Sequence, residues 1–385
     1  MAVRSYEGVA VAAPITFGYA KTSPHEVPWF VGNVLRELCA AAGLAKEDVD
    51  GLTLSSYRMA PDNAAGISEY LGLSLRFIAD LPYGGASGVM ALRRAARAVQ
   101  AGDAEVVACI GADVVPRAGD TGANFSSFSR DSVFPYGAGG PNAVFSLITE
   151  RYAQLHAVAR EDFGRICVAQ RHNAGANPNA LLRKPLSMDE YLNARPVTDT
   201  LGLFDCVMRC CGAEGFLVLS VERARALGLP HVCIGGAVER THAMPDEPVQ
   251  ASVGVALDAR ALYEQAGLGP EDMRFVQAYD DYPVIVMLQL ESLGFCAPGT
   301  AAELVRTHDL RASGDFPLNT SGGMLSIGQA GAAGGFIGMT EAIRQLTGRA
   351  VGEAVVNATA GLVSCYGTVN YDRGICSSAA ILLRS

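Results

Sequence analysis

The chain has little charge and no cluster of basic residues. Only 18% of its 385 residues are charged, the formal net charge is −9, and its lysines and arginines form no run. Nucleic-acid binding needs a basic face to contact the phosphates, so the composition argues against a nucleic-acid partner. There is no run of about 18 apolar residues, and the first residues lack the apolar core of a signal peptide. We therefore expect a cytoplasmic protein without a membrane span.

Metal-binding and disulfide patterns are missing as well. The ten cysteines include no Cys-x-x-Cys pair, and the six histidines include no pair at the helical spacing of metal ligands. We expect no metal site in this chain, and most cysteines should be small core residues. Half of the residues are hydrophobic, so a large core can form without disulfides.

Apolar strand-like runs alternate with helical segments rich in alanine and glycine, which predicts an α/β fold. The run Val106–Ile110 is typical of a strand buried on both faces of a sheet. No Gly-x-Gly-x-x-Gly motif follows a first strand, which disfavours a dinucleotide-binding dehydrogenase.

An internal duplication predicts two similar halves. Residues 42–48 have the pattern Ala-Gly-Leu-x-x-Glu-Asp, and the same pattern returns at 266–272, 224 positions later. In each copy the glycine stands where a preceding amphipathic helix would end, and Glu-Asp opens a turn into a strand. Two further predicted helices, 88–101 and 334–346, lead into predicted strands at 105–110 and 354–358. Each half is therefore predicted to have the order βαβαβ.

Two glycine-rich segments give these halves a family resemblance. Residues 82–88 are Pro-Tyr-Gly-Gly-Ala-Ser-Gly, and 319–335 are Asn-Thr-Ser-Gly-Gly-Met-Leu-Ser-Ile-Gly-Gln-Ala-Gly-Ala-Ala-Gly-Gly. They resemble the nucleophile turn Cys-x-Ser-Gly and the segment Asn-x-x-Gly-Gly-x-x-x-x-Gly-His-Pro-x-Gly-Ala-x-Gly of the thiolase superfamily. Gly85 stands at the position of the cysteine, and Gln329 and Ala330 replace His-Pro.

The resemblance extends over almost the whole chain and implies a thiolase fold. This is an α/β fold in which two βαβαβ halves form a five-layer α/β/α/β/α arrangement. Residues 1–117 and 196–235 would form the N-terminal half, and 236–385 the C-terminal half. Residues 118–195 would form a covering region of loops and helices over the substrate channel.

A tyrosine- and aspartate-rich segment supplies candidate acid/base residues. Residues 279–282 are Tyr-Asp-Asp-Tyr, and they resemble the Tyr-Asp-x-Phe form of thiolase-like proteins related to the thiolase domain of sterol carrier protein X. Two carboxylates beside two phenols in an apolar setting are suited to proton transfer. The alternative is structural: Asp280 would cap the next helix and Asp281 would be solvated.

Without the cysteine and the histidine, the acyl-enzyme route of a thiolase is closed. Retro-aldol cleavage of a β-hydroxyacyl-CoA remains open, because it needs a base and enolate-stabilising donors but no covalent intermediate. The chain is similar to cysteine-less thiolase-like aldolases that shorten steroid-type acyl-CoA side chains. We therefore expect a carbon–carbon lyase that acts on a coenzyme A thioester and binds no cofactor itself.

The resemblance also implies residue roles. Tyr279 and Tyr366 would be acid/base residues oriented by Asp280, with Tyr282 as a substitute for Tyr279. The enolate would be stabilised by the backbone of Gly85 with Gln329 and Gly367, and Cys365 would be a reserve thiol; the coenzyme A candidates in the covering region are Arg130, Arg183 and Lys184.

The resemblance implies a homodimer, together with a small partner subunit that has an OB-fold and a zinc ribbon. Any zinc would belong to that partner. Two other functions stay open at this point. One is a non-catalytic subunit that binds acyl-CoA or lipid, and the other is an acyl-transfer reaction that uses Cys365.

Overall fold

The computed structural model describes residues 5–60, 62–115, 134–137, 140–247, 249–370 and 373–385. Nine strands form one sheet in the order β3-β2-β4-β5-β1-β6-β9-β8-β7. Their bounds are β1 Val9–Ala20, β2 Gly51–Ser55, β3 Phe77–Asp80, β4 Val106–Asp113, β5 Cys211–Ser220, β6 His231–Thr241, β7 Phe275–Ala278, β8 Ala360–Asn370 and β9 Arg373–Arg384.

The sheet consists of two halves with the same strand arrangement. In the first half, β2 is parallel to β4, and β5 is antiparallel to both β4 and β1. In the second half, β7 is parallel to β8, and β9 is antiparallel to both β8 and β6. The halves meet where β1 pairs with β6 through three residue pairs. The sheets of the two halves are therefore joined edge to edge at these two strands.

The helices in the described residues are α1 Val27–Ala42, α2 Ala64–Leu71, α3 Ser87–Ala101, α4 Gly140–His156, α5 Arg160–Gly175, α6 Met188–Leu192, α7 Val221–Ala226, α8 Ala259–Ala266, α9 Pro283–Ser292, α10 Ala301–Thr307, α11 Gly323–Ile327 and α12 Gly334–Leu346. Helices α3 and α12 pack against each other and against strands of both halves. Helix α1 packs most closely on β1, β4 and β5 of the first half. Helix α8 packs on β6 and β9 of the second half. The result is the predicted five-layer α/β/α/β/α order.

The duplicated segment folds the same way in both halves. Gly43 and Gly267 end α1 and α8 in the left-handed conformation, with φ of 65° in each. A 3₁₀ turn follows, in which Asp48 and Asp272 accept backbone N–H bonds of 2.8 Å from Ala45 and Gly269. The strands β2 and β7 come next. The left-handed position explains the glycine in each copy, because other side chains rarely adopt it.

One predicted strand was wrong. Residues 354–358 are not a strand, and β8 begins at Ala360. Cys365 lies inside β8, where successive side chains alternate between the two faces of the sheet. The predicted helices at 88–101 and 334–346 are α3 and α12.

Helices α4, α5 and α6 of the covering region share a core with the C-terminal half, through buried residues such as Phe145, Ile148 and Tyr191. The buried carboxylate of Asp205, which follows this region in the chain, accepts a hydrogen bond from Tyr191 and pairs with Arg160. Among the residues that the structure describes, no helix combines the length and the apolar character needed to cross a membrane.

Candidate active site

The turn that begins α3 contains Gly85 at the position of the thiolase nucleophile, and a phenol fills the space of its side chain. A Cβ on Gly85 would lie under 3.0 Å from the Cε2 and Cζ atoms of Tyr279, and equally close to the carbonyl oxygen of Tyr366. Real Cβ atoms do not approach neighbours so closely. Glycine is therefore required here, and the aromatic ring of Tyr279 occupies the volume that a cysteine would use.

Gln329 lies directly against this phenol. Its Nε2 atom donates a hydrogen bond of 2.9 Å to the hydroxyl oxygen of Tyr279. The backbone of Gln329 is fixed in turn, because its N–H donates to Met208 and its carbonyl accepts from Cys210, at 2.8 and 3.0 Å. The amide that replaces the thiolase histidine is thus a positioned donor, and its second N–H hydrogen is not used by the bond to Tyr279.

Two long helices start at this place. A Cβ on Gly88 in the first turn of α3 would meet the backbone of Gly335 in the first turn of α12. The N-termini of α3 and α12 are thus in contact beside Gly85. Each helix N-terminus carries a partial positive charge of about half a unit, so the two together favour negative charge that develops between them.

Tyr279 is almost fully buried, with 7% of its surface exposed. Burial, followed by the charge of Asp281, raises the pKa of Tyr279 well above 10, and the bond from Gln329 acts in the opposite direction. The phenol is therefore neutral at physiological pH. It can pass a proton on, but it cannot hold a permanent negative charge.

Asp280 is placed away from the phenol hydroxyls. Its carboxylate accepts hydrogen bonds from the backbone N–H groups of Met324 and Leu325, at 2.9 and 3.2 Å, at the start of α11. The predicted bond to a tyrosine is not among its described contacts, and the helix that it caps is not the one that follows it in sequence. Burial raises the pKa of Asp280 to about 7, although these bonds act against the shift.

Asp281 is buried, whereas the structural alternative expected it to be solvated. Only 6% of its surface is exposed, and its Oδ1 atom is buried without a hydrogen-bond partner. Burial and then the neighbouring Asp280 raise the pKa of Asp281 well above its ordinary value.

Tyr366 and Gly367 of β8 form a wall of the site beside Gly85. The Tyr366 ring lies 6.4 Å from that of Tyr279, and its hydroxyl donates to Gln250 at 2.6 Å and accepts from the N–H of Gly374 at 2.6 Å. This fully buried hydroxyl thus has two protein partners. A Cβ on Gly367 would lie 2.6 to 2.8 Å from backbone atoms of the turn at residues 83–86, so Gly367 packs directly on the turn that holds Gly85.

Cys365 faces the central helices. Its thiol donates a weak hydrogen bond of 3.4 Å to the carbonyl oxygen of Gly335. Burial raises the pKa of Cys365 to about 12. The thiol is therefore protonated at neutral pH, which disfavours a role as base or nucleophile.

Tyr282 connects the C-terminal half to the covering helix α4. Its hydroxyl donates to Asn142, and its ring stacks on Phe145 at a centroid distance of 4.1 Å. The predicted substitute for Tyr279 therefore points towards the covering region, while Tyr279 itself points at Gly85.

Sequence reasoning missed Tyr57, which follows β2, and Asp113, which is the last residue of the neighbouring parallel strand β4. The Tyr57 hydroxyl lies where a Cβ on Gly84 would be. Buried Asp113 accepts hydrogen bonds from Ser56 at 2.8 Å, from the N–H of Arg58 at 2.9 Å and from the N–H of Ala332 at 2.7 Å. It thereby ties the loop that bears Tyr57 to the start of α12. Their positions in the sequence could have indicated both residues. Each stands at the carboxyl end of one of two adjacent parallel strands, and such ends meet at one edge of a sheet.

The predicted coenzyme A contacts lie at the surface or outside the described residues. Arg183 and Lys184 are exposed, and Lys184 lies 3.5 Å from Glu190. They follow Leu181 and Leu182, whose N–H groups donate to Ile327 and Ser326 in α11. Arg130 lies outside the described residues. No group of three or more potential metal ligands occurs in the part of the chain that the structure describes.

The chain is similar to proteins related to the thiolases. Residues 236–381 match the family model described as thiolase C-terminal domain-like. The chain is 32% identical to a steroid side-chain-cleaving aldolase of Thermomonospora curvata, over 82% of this chain and 84% of that protein. It is also 32% identical to the 17-hydroxy-3-oxo-4-pregnene-20-carboxyl-CoA lyase of Mycobacterium tuberculosis, over 86% of this chain and 90% of that protein.

A solved structure, the Ltp2-ChsH2(DUF35) aldolase, superposes with a TM-score of 0.84 and 29% identity, and the match covers 98% of both chains. A monomeric SCP2-thiolase like protein from Mycobacterium smegmatis matches with a TM-score of 0.72 at 15% identity, which shows a shared fold.

Proposed function

This chain belongs to the thiolase superfamily, in its branch of thiolase-like acyl-CoA aldolases, and on that premise we propose that it cleaves the Cα–Cβ bond of a β-hydroxyacyl-CoA by a retro-aldol reaction. One observation carries the proposal. The Tyr279 ring fills the side-chain volume at Gly85, so a neutral acid/base group stands where the covalent nucleophile of a thiolase would be.

The site contains groups suited to both requirements of the reaction. Retro-aldol cleavage needs removal of the β-hydroxyl proton and stabilisation of the enolate left on the thioester. The hydroxyl of Tyr279 is positioned by Gln329 and is suited to contact the substrate hydroxyl. The free N–H of the Gln329 amide and the converging N-termini of α3 and α12 are suited to stabilise the enolate oxygen. Gly85 and Gly367 keep the backbone of this turn close to the reacting atoms.

The Tyr366 hydroxyl is shared between Gln250 and Gly374, which supports a role in shaping the wall more than one in direct proton transfer. We assign Asp280 to the support of α11, and through it of Gln329, because its described bonds go to that helix.

The names of the two relatives support a steroid-type acyl group as substrate.

We place the coenzyme A moiety near the exposed Arg183 and Lys184, which follow the segment that contacts α11, with Arg130 as a further candidate. We also propose the domain division at residues 117, 195 and 235, with the last boundary falling inside β6, a strand that begins at His231 and pairs with β9. We also propose a cytoplasmic homodimer without a bound cofactor. The name of the matched structure, Ltp2-ChsH2(DUF35) aldolase, joins two components, which supports the predicted small OB-fold, zinc-ribbon partner.

The test is cleavage of a tertiary β-hydroxyacyl-CoA with a steroid-like side chain, with the ketone and the shortened acyl-CoA followed by mass spectrometry. The chain is assayed alone and after co-expression with its genomic neighbours. We expect cleavage by the wild type and by Cys365→Ala, with a loss of about 10²-fold or more in Tyr279→Phe. Tight acyl-CoA binding with no cleavage under any condition would contradict the proposal and support a non-catalytic binding subunit.

A further inference from the structure

Two phenols, one from each half of the chain, lie against adjacent glycines of the turn that begins α3. The ring of Tyr279 fills the side-chain volume at Gly85, and the hydroxyl of Tyr57 fills the same volume at Gly84. The Cα atoms of neighbouring residues are about 3.8 Å apart, so both phenols lie beside one short segment of backbone. The steps described above give a role to Tyr279 and none to Tyr57.

The loop that carries Tyr57 is fixed in position. The backbone N–H of Tyr57 donates to the carboxylate of Asp113 at 3.0 Å, and the N–H of Arg58 donates to it at 2.9 Å. The same carboxylate accepts the N–H of Ala332 at 2.7 Å, three residues after Gln329. Asp113 is buried, and a bond broken in the interior leaves polar groups unsatisfied at a large cost. The position of Tyr57 is therefore tied to the turn that carries Gln329.

The hydroxyl of Tyr57 makes no hydrogen bond with the residues that the structure describes, unlike two other phenols at the site. The hydroxyl oxygen of Tyr279 accepts from Gln329, and the hydroxyl of Tyr366 has two protein partners. Burial, followed by the charge of Asp113, raises the pKa of Tyr57, so its hydroxyl keeps its proton at neutral pH. Tyr57 therefore holds a donor that no protein group uses.

The side chain of Tyr57 extends from the solvent to this turn. Although 52% of its surface is exposed, its hydroxyl contacts Gly84, which is buried. The exposed surface therefore belongs mainly to the ring. A ligand that approaches Gly85 from this side passes along the ring and meets the hydroxyl at its inner end.

The proposed reaction leaves one substrate oxygen without a donor. The enolate oxygen can be stabilised by the amide of Gln329 and by the N-termini of α3 and α12. The β-oxygen gains negative charge as its proton passes to Tyr279. Tyr279 cannot donate to that oxygen while it accepts the proton, so a second group is needed there.

We propose that Tyr57 is a further catalytic residue, whose hydroxyl donates a hydrogen bond to the β-oxygen of the substrate. This inference rests on the proposed retro-aldol function. The β-oxygen is a hydroxyl before the Cα–Cβ bond breaks and the ketone oxygen afterwards, and the hydrogen bond is strongest while that oxygen carries negative charge. Tyr57 keeps its own proton throughout, and no bond to the protein forms.

The first experiment compares Tyr57→Phe with the wild type in the cleavage assay. The variant retains the ring and loses only the donor. We expect kcat to fall by about 10²-fold with a smaller change in KM, because the hydrogen bond is stronger in the transition state than in the bound substrate. The urea unfolding midpoint should not fall, since the hydroxyl has no described protein partner.

Tyr70→Phe is the matched control. Tyr70 is a 68% exposed phenol on α2 of the same half. We expect this variant to retain the kcat and the unfolding midpoint of the wild type.

The affinities of two inert analogues identify the oxygen that Tyr57 contacts. Both are thioethers in which a CH₂ group replaces the thioester carbonyl, so no enolate can form; one retains the β-hydroxyl, and the other has hydrogen in its place. We expect Tyr57→Phe to bind the hydroxylated analogue about 2- to 10-fold more weakly than the wild type does. Both proteins should bind the deoxy analogue equally, as measured by isothermal titration calorimetry.

Each result supports or overturns the inference. Tyr57→Phe activity within about threefold of wild type, or an equal effect on both analogues, would overturn it and leave the proposed function intact. A lower unfolding midpoint in Tyr57→Phe would assign the hydroxyl a structural role and would also overturn it. A wild type that cleaves no β-hydroxyacyl-CoA, with or without its partner, would overturn the proposed function and the catalytic role together; the analogue affinities would then show whether the contact itself exists.

Discussion

Replacing Gly85 by alanine tests the claim that a phenol has taken the volume of the thiolase nucleophile. The added methyl group would overlap the ring of Tyr279 and the carbonyl oxygen of Tyr366, both under 3.0 Å from the new carbon. The ring can move only by displacing its hydroxyl from Gln329. The carbonyl belongs to the backbone of β8 and cannot rotate away.

The expected effect on stability comes from overpacking, which typically lowers the free energy of unfolding by about 1–3 kcal/mol. We expect a value near the upper end, about 3 kcal/mol, because one of the two clashes involves backbone. Displacement of a positioned group by about 1 Å can reduce the rate about 10²-fold. We therefore expect Gly85→Ala to lose both stability and most of its cleavage activity, and Gly85→Cys to gain no thiolase activity.

Urea unfolding followed by circular dichroism measures the first effect, and the mass-spectrometric cleavage assay measures the second. Gly66→Ala is the matched control. Gly66 is exposed within α2, and a Cβ there meets nothing within 4 Å, so we expect a gain of roughly 0.5–1 kcal/mol from the lower entropy of the unfolded chain.

The double variant Gly85→Ala/Tyr279→Ala locates the clash. Removing the ring makes room for the methyl group, so the double variant should be more stable than the sum of the two single effects predicts, with a coupling of about 0.5–3 kcal/mol. Full additivity, or a Gly85→Ala protein within about 0.5 kcal/mol of wild type with normal activity, would refute the reasoning.

Three further variants test other features. Gln329→Ala should lower kcat by about 10²–10³-fold with little effect on unfolding, because it removes a donor at the enolate site; near-normal kcat would contradict that role. Cys365→Ala should retain activity within about threefold, and iodoacetamide should not label Cys365 in the folded protein at pH 8, since burial raises the pKa of this thiol to about 12. For buried Glu214, which accepts bonds from Thr16 and Thr340, burial raises the pKa from 4.5 to about 7. The folded protein then binds more protons than the unfolded chain between these values, so the free energy of unfolding falls as pH rises through this range, by at most about 3 kcal/mol from this group. Glu214→Gln should show a smaller fall in urea midpoints between pH 4.5 and 7.5, and an unchanged pH dependence would contradict this account.

Local rules were sufficient for much of the fold. The repeated Ala-Gly-Leu-x-x-Glu-Asp segment predicted two equivalent helix ends and turns, because a glycine in the left-handed conformation and an aspartate that accepts a nearby N–H act within a few residues. The same locality explains the correct helices α3 and α12. The boundary of β8 was predicted less well, because pairing with β9 and β7 sets where that strand begins.

The site shows where local rules end. The sequence identified Gly85, Tyr279 and Gln329 as one site, because the motif positions marked them. It could not assign Asp280 and Asp281, which differ only in which neighbours their carboxyl groups meet. Asp280 meets the start of α11, more than 40 residues away in sequence, whereas the Oδ1 atom of Asp281 is buried without a hydrogen-bond partner.

Sequence by itself determined that this chain has two thiolase-like halves and no thiolase nucleophile, since those properties depend on residue types at motif positions and on short-range turn geometry. Only the tertiary structure decided what replaced the nucleophile. The phenol of Tyr279 and the amide that donates to it lie 50 residues apart in the C-terminal half, and packing between the two halves brings them against Gly85 of the N-terminal half. The pKa of each group depends on how completely that packing removes water, a property of the folded protein that no single segment of sequence possesses.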